Sequence, residues 1–260
     1  MKRTLYLFCS LVLFFCMFSN AYGHDYWLLP STFKPSPGDI IDAGFTSAHE
    51  YFGMEETPDI IKYAMSLRTP NGQDLALAFS RVTPKAAWVR IPIFTPGTYV
   101  LSAVNTTPEY WTQTTKGWQS GPISDPAGVL KSTRYFKSIK TFFSAGSPTD
   151  AYKAVCGFEI EMVPQKNPTE LRKGDKLPVQ ILFRGNLVPD VPVSAIYEGF
   201  KAKDHSDRPV QTKTNSEGIA EITLDRTGKW LVFGRHEFPT KDLPGKSFAN
   251  YRPYILFEVH

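Results

Sequence analysis

A chain of 260 residues that is 42% hydrophobic and 14% aromatic carries enough apolar side chains for a packed core, which excludes an intrinsically disordered protein. The formal net charge of +4 includes Lys2 and Arg3 at the extreme N-terminus. No basic cluster stands out elsewhere, so no nucleic-acid partner is expected.

The first residues predict export. Met1-Lys2-Arg3 is a short positive stretch, followed by an apolar run from Leu5 to Phe18 broken only by Ser10. That run has the length of a signal-peptide core and falls short of the about 20 residues a bilayer-spanning helix needs. Ala21 and Gly23 stand where a signal peptidase reads small residues. Residues 1–23 are therefore expected to be a signal peptide, cut between Gly23 and His24, with a periplasmic mature protein. A lipid anchor on Cys16 is the rival reading, and the bulky Phe15 just before it does not suit lipidation. Cleavage removes Cys9 and Cys16, so Cys156 is left with no partner for an intrachain disulfide and reads as a buried, inert thiol. No later apolar run approaches spanning length, so no transmembrane helix is expected in the mature chain.

From there the chain reads as short, turn-punctuated strands. Ile40–Phe45 follows the turn Pro37-Gly38-Asp39, and Tyr63–Arg68 ends at Thr69-Pro70-Asn71-Gly72. Ala87–Ile91 alternates up to Pro92, and Thr98–Val104 follows Thr95-Pro96-Gly97. Residues 106–150 are aromatic without clear alternation, and read as a long excursion with a short helix that returns to a strand near Lys140. Strand patterns resume with Gly157–Val163, Val179–Phe183, Val191–Tyr197, Val210–Thr214, Ile219–Leu224, Lys229–Gly234 and Tyr254–Val259. Aromatic and β-branched residues at period two, bounded by Pro, Gly and Asn, predict an all-β protein. Two antiparallel, immunoglobulin-like β-sandwich domains are expected, at 24–150 and 151–260.

The motifs of common catalytic folds are absent: no Gly-x-Ser-x-Gly elbow, no phosphate loop, no Cys-x-x-Cys. No enzyme is expected. Histidine carries the interest, with His24, His49, His205, His236 and His260 all in the mature part. Each alone reads more readily as a surface or hydrogen-bonded imidazole. His24 differs, because cleavage would make it the amino terminus. Its α-amine and imidazole both lose a proton near neutral pH at small cost. Amine and ring could chelate one ion, and a second histidine would complete a nitrogen-rich site suited to Ni(II), Co(II) or Cu(II). His49, in the loop after the first long strand, is the best second ligand, and His236, ending the Trp230 strand, is the third candidate. The amino-terminal copper and nickel motif that needs histidine at mature position three is absent, because Tyr26 stands there. Tyr110, Trp111 and Trp118 could stack on a sugar, or pack over one end of the sandwich.

His24-Asp25-Tyr26-Trp27-Leu28-Leu29-Pro30 after an export signal resembles the opening of a bacterial family of exported proteins. That family is catalogued both as the substrate-specific component of nickel uptake and as a domain of unknown function. Pro35–Asp39 and Pro96–Tyr99 resemble its turns. The stretch from Asn215 to Val232 resembles its second domain, which is itself similar to the carboxypeptidase regulatory-like sandwich. The resemblance implies a periplasmic protein of nickel or cobalt acquisition, with an envelope metal transporter as partner. It also implies a glycine- and histidine-rich loop after the first strand, where this chain has His49 alone. The expected function is a metal-binding accessory protein with His24 as ligand. The alternatives are a carbohydrate- or protein-binding envelope module without metal and, last, a copper oxidase built on the terminal histidine.

Overall fold

The computed structural model describes residues 24–121, 123, 126–203 and 207–260. The expected signal peptide and its cleavage bond lie outside the described residues, as does His205. The N-terminal half forms β1 (Asp25–Pro30), β2 (Ile40–Ala48), β3 (Tyr63–Arg68), β4 (Asp74–Leu77), β5 (Arg81–Val82), β6 (Ala87–Pro92), β7 (Gly97–Asn105), β8 (Glu109–Thr114), β9 (Gly117–Ser120) and β10 (Val129–Ala145). The C-terminal half forms β11 (Ile160–Pro164), β12 (Lys176–Phe183), β13 (Asn186–Leu187), β14 (Pro192–Tyr197), β15 (Val210–Lys213), β16 (Ile219–Thr223), β17 (Gly228–Gly234), β18 (His236–Thr240) and β19 (Lys246–Val259). The protein is all-β, and its helical segments among the described residues are single 3-10 turns.

Three sheets make up the molecule. An eleven-stranded sheet runs β15-β14-β17-β19-β10-β7-β3-β4, with β18 added on β19 and the β8–β9 hairpin added on β10. A four-stranded sheet β1-β2-β6-β5 packs on one face of it, and a second, built from β11, β12, β13 and β16, packs on the other. The spine is the parallel pairing of β10 with β19, from Lys131 opposite Lys246 to Thr141 opposite Leu256. This pairing joins the two halves of the chain across position 150 within one sheet.

The core is split by that spine. Successive side chains on a strand point to opposite faces, so neighbours go to different cores. Leu101, Phe143, Tyr254 and Leu256 join Trp27, Leu28 and Phe45 in the first. Val100, Phe142, Ile255 and Phe257 join Ile181, Trp230 and Val232 in the second. Trp27 is fully buried, and the gain from its apolar surface is partly offset by an indole N–H without a partner among the described residues.

Residues 106–150 hold regular β structure rather than an excursion with a helix. They form the β8–β9 hairpin and then β10, which pairs with β8 near its start, β7 near its end and β19 along its length. The alternation there is hidden because the C-terminal half of β10, Lys137–Ala145, is buried on both faces, and because two of its buried residues are lysines. Lys137 is 5% exposed and Lys140 2%. Lys137 meets Glu109 at 2.5 Å on the first-core face, and Lys140 meets Glu161 at 2.5 Å on the second.

Candidate metal centre

The register of the first two strands brings two histidines together. β1 and β2 pair antiparallel with Asp25 opposite Ala48, so the residue before β1, His24, faces the residue after β2, His49. Their rings stand edge to face with centroids 4.0 Å apart. β1 is held across the core, where the Thr141 hydroxyl of β10 donates to the Leu28 carbonyl at 2.7 Å.

The chain leaves β2 at Ala48 and returns at Glu56, where Ser47 and Glu56 exchange backbone hydrogen bonds of 2.9 and 3.1 Å. Thr46 Oγ1 adds a hydrogen bond to the Glu56 carbonyl. The loop folds back over β2 and sets the Met54 methyl against Gly44. Phe52, at φ 65°, takes the left-handed conformation rare for a bulky residue. Its ring rests 6.3 Å from that of Trp27.

This closure adds carboxylates to the histidine pair. Glu55 accepts from the backbone N–H groups of Glu50 at 2.7 Å and His49 at 3.1 Å. Its Oε2 also lies 3.4 Å from His49 Nδ1. Burial alone would raise the Glu55 pKa, but those N–H groups outweigh it and hold the carboxyl below its usual range. Glu56 Oε2 stands 3.1 Å from His24 Nδ1. One ligand-capable atom each from His24, His49 and Glu55 all lie within 4.8 Å of one another. Burial, and then the nearby His49, lower the His24 pKa from the ordinary histidine value, which keeps its ring neutral at pH 7.

A polar network underlies the pair. The Asp25 carboxylate is 7% exposed. It accepts from the Tyr51 hydroxyl at 2.9 Å and the Tyr254 hydroxyl at 3.2 Å, and Arg208 lies 3.6 Å away. Burial, and then the Asp25 charge, raise both tyrosines, so both remain protonated donors. Beside it, Glu109 accepts from Tyr26 and Tyr63 as well as Lys137. Burial pulls the Lys137 ammonium down to about 8. Glu109, which burial would raise, is held below the usual carboxylate range by Lys137 and the two hydroxyls.

His236 is placed elsewhere. It opens β18 opposite Tyr251, and its ring packs near Phe183, at 5.0 Å, Phe238 and Tyr251. Tyr251 belongs to the second core, whereas Tyr254, which reaches Asp25, belongs to the first. The spine sheet therefore separates His236 from the His24–His49 pair. Glu55 and Glu56 escaped the sequence reading. Their only signal was nearness in the chain to His49, which does not tell which acid the loop turns inward. Cys156 is half-buried, with its thiol pKa raised by burial.

By fold and site this is an all-β protein with two imidazoles and a carboxylate gathered at the mouth of its first strand pair. The chain belongs to the family described as a domain of unknown function, DUF4198, whose model matches residues 21–237 and so takes in His24, His49, Glu55 and His236. No curated protein matches it. Among solved structures, a DUF4785 family protein from Legionella pneumophila is similar at 10% identity and a TM-score of 0.24, covering 79% of this chain and 50% of that one. This chain thus spans about half the length of that protein. The D0-D1 domain of intimin is similar at 16% identity and a TM-score of 0.21, covering 90% of this chain and 98% of that one. Murine CEACAM1b is similar at 7% identity and a TM-score of 0.22, over 91% and 99%. None of these likenesses bears on the site.

Proposed function

We propose that the protein is an exported, periplasmic binding protein for a divalent transition-metal ion, which His24, His49 and Glu55 hold at the start of the mature chain. The observation that carries this reading is the edge-to-face His24–His49 pair with the Glu55 carboxylate turned toward it. Metal–nitrogen and metal–oxygen bonds run about 2.0–2.2 Å, so ligands sharing an ion lie at most about 4.4 Å apart. A spread of 4.8 Å closes with small side-chain rotations. Imidazole nitrogens with one carboxylate suit Ni(II), Co(II), Cu(II) or Zn(II) better than Mg(II) or Ca(II).

Signal-peptide removal after Gly23 adds the His24 amine as a further nitrogen donor. In this reading residues 24–150 and 151–260 are two sandwich-like lobes that share the central sheet, the second resembling the carboxypeptidase regulatory-like fold. The protein carries nickel or cobalt to an envelope transporter and catalyses no reaction. Isothermal titration with Ni(II) and Cu(II) tests this, on protein exported from the full chain and checked for its N-terminus by mass spectrometry. His24→Ala and His49→Ala should each weaken binding by at least about 100-fold, and Glu55→Gln by about 10-fold. Unchanged affinity in both histidine variants rejects the reading. Protons compete with the ion for the imidazoles, so affinity should fall as pH drops below the ordinary histidine range.

A second reading, as a sugar- or protein-binding envelope module, rests on the β8–β9 hairpin. Gln113 pairs with Trp118 there, so Trp111 and Trp118 share one face of the hairpin, both half-exposed. Glycan-array binding lost in Trp111→Ala and Trp118→Ala protein, with metal affinity unchanged, would favour it.

A further inference from the structure

Beyond the two imidazoles, the site depends on what fixes their separation. His24 immediately precedes β1 and His49 follows β2, so strand pairing brings their backbones together without by itself setting their side chains. One side chain touches both supports. Asp25, next to His24, accepts at Oδ2 from the hydroxyl of Tyr51, two residues beyond His49. Its other oxygen, Oδ1, accepts from Tyr254 on β19, and Arg208, from the segment before β15, approaches Oδ2 at 3.6 Å. Arg208 also lies over the Tyr51 ring at 5.6 Å, so the same cation backs both members of the Asp25–Tyr51 bond.

We infer that Asp25 is the positioning residue of this metal site: through Tyr51 it sets the spacing of His24 and His49, and through Tyr254 and Arg208 it makes that spacing depend on the C-terminal half of the chain. This deepens the metal-binding reading and rests on it. Both carboxylate oxygens are engaged and the group is buried, so the bond cannot be replaced by water without opening the loop. Groups that orient metal ligands typically change affinity by about 10–100-fold when removed.

The test is a double-mutant cycle on Ni(II) affinity, using Asp25→Asn, Tyr51→Phe and the pair, with Cu(II) electron paramagnetic resonance on each. Tyr51→Phe removes one hydroxyl and keeps the ring against Trp27, so it should fold even if Asp25→Asn is weakened by the nearby arginine. Each single change should lower affinity by about 10-fold, and the double change by little more than either, because both break one bond. The copper spectrum should shift in Tyr51→Phe at an unchanged melting temperature, which a purely stabilising role would not produce. Tyr254→Phe should lower affinity by a smaller factor. If His24→Ala abolishes binding while Tyr51→Phe leaves affinity and spectrum as in the wild type, the positioning role is overturned and the metal site stands. If His24→Ala has no effect, the metal reading itself fails.

Discussion

Lys137 and Lys140 sit three residues apart on one strand, and each is buried against one glutamate on opposite faces of the same sheet. Their surroundings differ. Lys137 lies 3.5 Å from the centroid of the Tyr26 ring, and its partner Glu109 also receives the hydroxyls of Tyr26 and Tyr63. Lys140 shares Glu161 with the backbone N–H of Cys156 and donates to the Ala154 carbonyl. The first pair thus belongs to a polar network that continues beside Asp25 toward the histidines. The second pins the connection between β10 and β11, beside the Ser138 hydroxyl that donates to the Ile160 carbonyl. A buried ion pair can therefore serve a site on one face of a sheet and a chain crossing on the other, with the same two residue types.

Removing one partner of a buried pair leaves an uncompensated charge, at a cost of about 3–5 kcal/mol. The largest effect should come from Glu161→Gln, because Lys140 then keeps only neutral acceptors, the Ala154 carbonyl and the new amide oxygen. Glu109→Gln should cost less, since the Tyr26 ring and the Tyr26 and Tyr63 hydroxyls remain as neighbours and burial has already pulled the Lys137 ammonium down to about 8. Urea unfolding of the two variants measures the difference, and equal losses would erase the contrast between the faces.

Alkaline stability sharpens it further. Folding lowers Lys137 from 10.5 to about 8. Between those values the unfolded chain holds a proton that the folded chain has lost, so this group makes stability rise with pH across that window, and the gain disappears as pH falls through about 8. Lys137→Met should flatten the slope between about pH 8 and pH 10, where the raised tyrosines do not yet titrate on unfolding. A slope unchanged in Lys137→Met would mean that burial does not depress this lysine.

The smallest effect concerns the two histidine environments. His236→Ala should cost about 1 kcal/mol through lost packing on Phe183 and Phe238 and leave Ni(II) affinity unaltered. A fall in affinity comparable to that of His49→Ala would put His236 in the same site, against its place on the other face of the spine.

Much of the fold could be read along the chain wherever one face of a strand is dry and the other is wet. The β6 segment Ala87–Pro92 alternates buried and open in its final place, as its residues predicted. Tyr63–Arg68 as a strand could be read in the same way. β10 could not, because a strand covered on both sides loses the period-two signal and its two lysines look like solvent residues until their glutamates are found. The site shows the same division. His24 and His49 were marked by their chemistry, and His236 was marked by the same chemistry with no means of telling that a sheet would stand between them.

The all-β class, the turn positions and the residues with metal-binding chemistry follow from the order of amino acids, since these rest on local propensity and on side-chain functional groups. Folding in three dimensions is what sets β10 beside β19, turns Glu55 toward the histidine pair and makes Asp25 bridge the two halves of the chain. Those outcomes depend on topology, on strand register and on which face each residue presents, and a shift of one residue in pairing would send a strand's side chains to the opposite face.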